Sequence, residues 1–222
     1  MSRLLFRILA LCLITMTIAC NATNALAVSI PDPVVDAPLA TVKGKQTAVI
    51  AGGCFWGIEE VFEHVKGVID ARAGYAGGTA NTARYEVVST GKTGHAESVR
   101  ITYDPSQITY GQLLKVFFSV AHDPTQLNRQ GPDTGPQYRS AIFYSNEEQK
   151  RIAQAYIEQL NQAKVFERPI VTQAVELDSF YEAEAYHQDY ALHHPDEPYI
   201  RIHDLPKVAN LRKQFPDLYR SR

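Results

Sequence analysis

Cysteine is scarce in this chain of 222 residues, which holds three, Cys12, Cys20 and Cys54. The first two lie in or beside an N-terminal stretch of export type, so the rest of the chain keeps one thiol and an internal disulfide is excluded. An excess of charge of one sign is also missing. Lys and Arg number 22 against 24 Asp and Glu, and the resulting net charge of -2 offers no positive field to a phosphate backbone or an anionic membrane, which argues against a nucleic-acid partner. The sequence has no dinucleotide-type glycine fingerprint and no internal repeat. Tryptophan occurs once, at Trp56. What is present, 45% hydrophobic and 21% charged residues, is the composition of an ordinary globular protein.

The N-terminus reads as a targeting signal. Arg3 and Arg7 form a basic start, Ile8 to Ala19 is an apolar run too short to span a bilayer comfortably, and Ala25-Leu26-Ala27 supplies a small-x-small cleavage pattern. Residues 1–27 are therefore expected to be a signal peptide, with the mature chain starting at Val28 and exported to the periplasm or secreted. Lipid anchoring through Cys20 is the alternative, although Thr17 stands where a lipoprotein signal usually has leucine. Residues 28–45, with Pro31, Pro33 and Pro38 and no periodicity, read as a flexible leader. The domain spans 46–222.

Within it, Thr47 to Ala51 is a strand-type run broken by Gly52 and Gly53, after which Phe55, Ile58, Val61, Phe62 and Val65 recur at helical spacing. Further strands are expected at Asp70 to Tyr75, at Val99 to Tyr103, at Ala141 to Tyr144 and at Ile170 to Leu177. A second amphipathic helix carries Leu113 to Val120. Ser145 with Glu148 predicts a capping box opening a helix to about Lys164, and Ser179 with Glu182 predicts another running to His193-His194-Pro195. Asp123 to Pro136 is a long polar loop of the functional kind, and the tail after about 195 reads as irregular and charged. The alternation predicts an α+β fold: a two-layer sandwich of a mixed or antiparallel sheet with helices, on a ferredoxin-like core.

Chemistry concentrates at Gly52-Gly53-Cys54-Phe55-Trp56-Gly57. A thiol at the first turn of a helix meets free N–H groups and the positive end of the dipole, which favour a thiolate and make the cysteine nucleophilic. Phe55 and Trp56 beside it suit an apolar pocket for a small methyl-bearing group. Three readings fit these residues alone: a redox thiol, a cysteine hydrolase or acyltransferase with His95 or His122 as base, and a secreted binding module whose Cys54 is inert core. His193-His194 with Asp196 and Glu197 is better explained as a solvated helix end than as a metal site.

Several motifs settle the choice together. Gly52 to Gly57, Gly74-Tyr75-Ala76-Gly77-Gly78, Thr93-Gly94-His95-Ala96-Glu97, His122-Asp123-Pro124-Thr125, Asn128-Arg129-Gln130-Gly131 and Gln137-Tyr138-Arg139-Ser140 closely resemble the peptide methionine sulfoxide reductase A family, over about Thr47 to Gln188. The resemblance implies Cys54 as nucleophile and Glu97 as acid, with Tyr85, Tyr138 and Asp133 as the hydrogen-bonding groups that hold the sulfoxide oxygen and orient the site. It also implies action on the S epimer of methionine sulfoxide in oxidised proteins, or as the free amino acid, with no bound cofactor and no metal. Many members of the family carry resolving cysteines near the C-terminus, whereas Tyr199 to Arg222 contains none. Sulfenic Cys54 is then expected to be reduced directly by an external thiol, a thioredoxin-like or glutaredoxin-like protein or a small thiol, and the enzyme to act as a monomer. Pro136 stands where the family often has threonine, for which a local loop effect is expected.

Overall fold

The computed structural model describes residues 30–222. The signal peptide and Cys20 expectations lie outside the described residues. In chain order the elements are β1 (Gln46–Gly52), α1 (Phe55–Glu63), β2 (Val68–Ala76), α2 (Tyr85–Val88), β3 (Ala96–Tyr103) and α3 (Tyr110–Val116), which runs into a π-helical turn at Phe117–Ala121. A short hairpin of β4 (Arg129–Gln130) and β5 (Asp133–Thr134) follows, then β6 (Ser140–Tyr144), α4 (Glu147–Gln162), β7 (Gln173–Glu176), β8 (Phe180–Glu182), α5 (Tyr190–His193) and α6 (Leu205–Gln214).

The main sheet has the order β7-β6-β1-β3-β2-β8, antiparallel throughout except for the parallel pair β6 and β7. Its four inner strands with α1 and α3 as crossovers form the expected ferredoxin-like core. The alternating apolar residues of the strands bury one face against the helices, where Ile50, Ile58, Phe62, Val99, Ile101 and Ile142 are fully enclosed. Burial of several such side chains, at about 1.5–3 kcal/mol each, fixes α1 over the sheet and hence the position of Cys54 at its start.

Several expectations need correction. The leader is not free from Ile30 onward: Ile30 is buried, the Tyr156 hydroxyl donates to the Pro31 carbonyl at 2.7 Å, and Gln159 Nε2 donates to the Asp32 carbonyl at 2.8 Å. Asp36 accepts from the Gly111 amide at 2.8 Å and from the Thr109 hydroxyl, placing a carboxylate where the α3 dipole favours one. The segment expected as a helix from Ser179 to His193 instead begins with β8, because β2 has an edge to fill: Phe180, Tyr181 and Glu182 pair with Ala76, Tyr75 and Gly74. The cap of α4 is Asn146, whose side chain accepts from the Gln149 amide, while Ser145 donates to the Gln149 side chain. The strand expected from Ile170 shortens to β7 because the Ile170 and Val171 amides bond to Asn161 and Pro124 instead. The tail is only partly irregular. A π-helical turn at Ile200–Asp204 leads into α6, which packs on α1, and Arg220 returns to hydrogen-bond the His64 carbonyl.

Candidate active site

β1 ends in the glycine pair that frees the chain to turn into α1. Gly53 has φ +104, and a Cβ there would lie 2.6 Å from the Gln130 side chain, so only glycine meets both the conformation and the space. Cys54 follows as the N-cap of α1. It is 9% exposed and borders a cavity of about 200 Å³ lined by Cys54, Phe55, Trp56, Tyr85, Glu97, Asp133, Tyr138 and Tyr199. All seven residues singled out in the sequence therefore meet in one cavity, although they come from α1, α2, β3, β5 and the turn after β5.

Glu97 lies on β3 opposite Tyr75 of β2 and is 2% exposed. Its carboxylate accepts a hydrogen bond from the Phe55 amide at 3.2 Å. Burial pushes the carboxyl up to about 8; the Phe55 N–H opposes this and the charge of Asp133 adds to it. An acid that holds its proton at neutral pH thus sits beside the thiol. Tyr85 and Tyr138 are likewise raised by burial and by the facing Glu97, so both remain neutral phenols able to donate. Tyr85 is held by its own amide, which donates to Glu184 at 2.9 Å while the other oxygen of Glu184 accepts from the Tyr75 hydroxyl at 2.8 Å. Tyr138 closes a 3₁₀ turn that starts at Pro136, a residue suited to the first position of such a turn because it has no N–H to satisfy.

Trp56 forms one wall. Its ring stacks on Tyr190 with centroids 3.8 Å apart and 9° between planes, its edge meets Tyr199, and its N–H donates to His187 Nδ1 at 3.1 Å. The His187 ring also lies 4.4 Å from that of Tyr85 and 5.0 Å from that of Phe55. One imidazole thereby fixes three rings of the pocket.

The thiolate expectation requires correction. Enclosure raises the Cys54 thiol well above its ordinary value, the charges of Glu97 and Asp204 add to this, and the Trp56 backbone amide and the Lys207 ammonium only partly offset it. A single turn of free amides does not outweigh the loss of water around a buried sulfur. The resting residue is a neutral thiol beside a neutral acid.

The histidines weighed as bases lie elsewhere. His122 is buried, bonded to Ser140 Oγ at 2.7 Å and to the Phe117 carbonyl, and burial depresses it to about 3. His95 bonds to the Thr79 carbonyl. Neither borders the cavity. Among the described residues no group of three or more His, Cys, Asp or Glu side chains is placed to hold a metal ion.

Sequence reasoning missed Tyr199, whose hydroxyl donates to Asp133 Oδ2 at 2.5 Å, and Tyr190, which stacks on Trp56; His187, read from the sequence as a support for neighbouring side chains rather than a metal ligand, has that place here. The available signal was aromatic residues spaced through a segment otherwise polar, which periodicity does not detect.

Residues 46–219 match the family described as peptide methionine sulfoxide reductase. The chain is 62% identical over 176 residues to peptide methionine sulfoxide reductase MsrA 2 of Mesorhizobium japonicum, covering 79% of this chain and 90% of that relative. It is 56% identical over 190 residues to the protein of the same name from Synechocystis sp., covering 85% and 89%. Among solved structures it resembles reduced Mxr1 of Saccharomyces cerevisiae, with TM-score 0.64, 30% identity, and coverage of 77% and 96%. It also resembles methionine sulfoxide reductase A of Corynebacterium diphtheriae, with TM-score 0.59, 34% identity, and coverage of 78% and 89%.

Proposed function

The chain belongs to the peptide methionine sulfoxide reductase A family, and on that premise we propose that Cys54 takes the oxygen from methionine sulfoxide while Glu97 moves the proton. The enzyme reduces methionine S-sulfoxide, in proteins and as the free amino acid, to methionine. The observation that carries the assignment of roles is the single cavity in which the buried Glu97 carboxyl, held up to about 8, faces the Cys54 thiol.

A sulfoxide oxygen leaves sulfur only when it is protonated or strongly hydrogen-bonded. Glu97 gives its proton to that oxygen, with Tyr85 and Tyr138 donating to it as charge develops. Cys54 attacks the sulfoxide sulfur and yields its own proton to the emptied Glu97 carboxylate. The oxygen passes to Cys54 as sulfenic acid and methionine departs, so the thiol proton is retained overall and the acid is restored. The neutral resting thiol fits this sequence, since the proton it holds replaces the one Glu97 has given to the oxygen. Trp56 and Phe55 enclose the methyl group of the substrate.

Two external thiols close the cycle: the first displaces water from the sulfenic acid to form a mixed disulfide, and the second releases Cys54. Cys54 is the one cysteine among the described residues, which supports an external thiol as the reductant. Export to the periplasm or beyond the cell follows from residues 1–27 read as a signal peptide, with residues 46–222 as the working domain. The test is methionine formation from separated epimers with and without dithiothreitol: conversion of the S epimer alone, one disulfide formed per methionine, supports the reading, and conversion without thiol consumption overturns it.

A further inference from the structure

The tail contributes a charge pair directly beneath the nucleophile's helix. Asp204 is fully buried at the end of the π-helical turn, and Lys207, 8% exposed, follows in the first turn of α6. The Lys207 ammonium donates to Asp204 Oδ1 at 3.0 Å, while Asp204 Oδ2 is buried with no hydrogen-bond partner. Both groups press on the first turn of α1. A Cβ on Gly57 would lie 2.0 Å from Asp204 Oδ1 and 2.7 Å from Lys207 Nζ. A buried ion pair with one carboxylate oxygen unsatisfied is a poor stabilising device, since desolvation offsets most of its attraction.

We propose that Asp204 and Lys207 are a positioning pair for the known reaction, fixing the turn that carries Cys54 and setting the balance of charge that its sulfur faces. The inference rests on Cys54 being the nucleophile. Glu97 from β3 and Asp204 from the tail oppose an anion at the sulfur, and Lys207 is the cation that favours one. The phenols of Tyr85, Tyr138, Tyr190 and Tyr199 around it remain neutral. Asp204 itself is faced by Lys207, His203 and Asp133. Lys207 thus offsets the carboxyl groups of Glu97 and Asp204 that act on the sulfur, and Asp204 anchors that ammonium against Gly57. Because both members stand after residue 199, the tail becomes part of the active site in a chain that has no cysteine there.

The test is the rate of iodoacetamide alkylation of Cys54 below the thiol's own titration range, where the rate follows the thiolate fraction. Lys207→Met is expected to slow alkylation roughly three- to tenfold and Asp204→Asn to speed it by a similar factor. In Lys207→Met, kcat falls while KM for a sulfoxide peptide holds. A purely structural pair would instead open the pocket and speed alkylation in both. Should the unpaired Lys207→Met variant fail to fold, the uncharged double variant is compared with Asp204→Asn, and slower alkylation in the double isolates Lys207. Shifts of the same direction in the two single variants, or equal rates in Asp204→Asn and the double, overturn the proposal. Failure of the nucleophile assignment shows separately, as activity that survives Cys54→Ser.

Discussion

The Phe55 amide, the first of the helix that follows Cys54, donates to the Glu97 carboxylate at 3.2 Å. One hydrogen bond thus ties the nucleophile's helix to the acid on β3, and movement of either group disturbs the other. Glu97→Gln keeps the shape and the acceptor but cannot release a proton, so kcat is expected to fall by about 10²–10⁴-fold with little change in the melting temperature. Steady-state kinetics beside a thermal scan checks this; a wild-type kcat in the variant would remove Glu97 from the proton path.

The pH dependence has a defined sign. Glu97 acts as an acid only while protonated, and its carboxyl is held up to about 8, so the rate of the chemical step is expected to decline as pH rises through about 8. Stability shifts in the same direction. Glu59, which accepts from the Ala73 and Asp189 amides, is also pushed up to about 8, mainly by burial. The folded chain retains protons on Glu59 and Glu97 that the unfolded chain releases near 4.5. Their contribution is therefore fully present below 4.5 and is lost as pH rises to about 8. Denaturant unfolding across that window should show the loss, and Glu59→Gln should flatten it.

Cys54 as a buried neutral thiol should react more slowly with iodoacetamide at neutral pH than free cysteine does, and accelerate as pH rises. Fast alkylation at pH well below neutrality would show a preformed thiolate instead.

Much of this site was legible in the sequence, and what was missed has a physical reason. Gly53 and the periodic Phe55, Ile58 and Phe62 act locally, so the strand, turn and helix around Cys54 could be read without tertiary knowledge. Glu97, Tyr85, Asp133 and Tyr138 carry no local signal, and only motifs taken together singled them out. The thiol's charge state was misread because the helix N-terminus is visible in sequence whereas the burial that outweighs it is not. β8 was misread for a similar reason, since the open edge of β2 that Phe180 to Glu182 completes exists only in the folded sheet. Tyr199, Asp204 and Lys207 escaped because the tail has no pattern of its own and gains meaning only by packing on α1.

Gly53→Ala is expected to destabilise the fold by about 1–3 kcal/mol, since φ +104 is costly for any residue with a Cβ and the added carbon would meet Gln130. Denaturant midpoints check it. Activity should fall as well, because the turn that presents Cys54 shifts.

Tyr199→Phe removes the donor to Asp133 at 2.5 Å. A hydrogen bond to a charged group contributes about 1.5–3 kcal/mol, so kcat/KM should drop roughly 10- to 100-fold if Asp133 orients the site as assigned. An unchanged value would make Tyr199 a packing residue only.

The most direct measurement compares Cys54→Ser with the wild type on separated sulfoxide epimers in excess dithiothreitol. The serine variant should form no methionine from either epimer while the wild type converts the S epimer alone; continued turnover of the S epimer by the variant would contradict the assignment of the nucleophile.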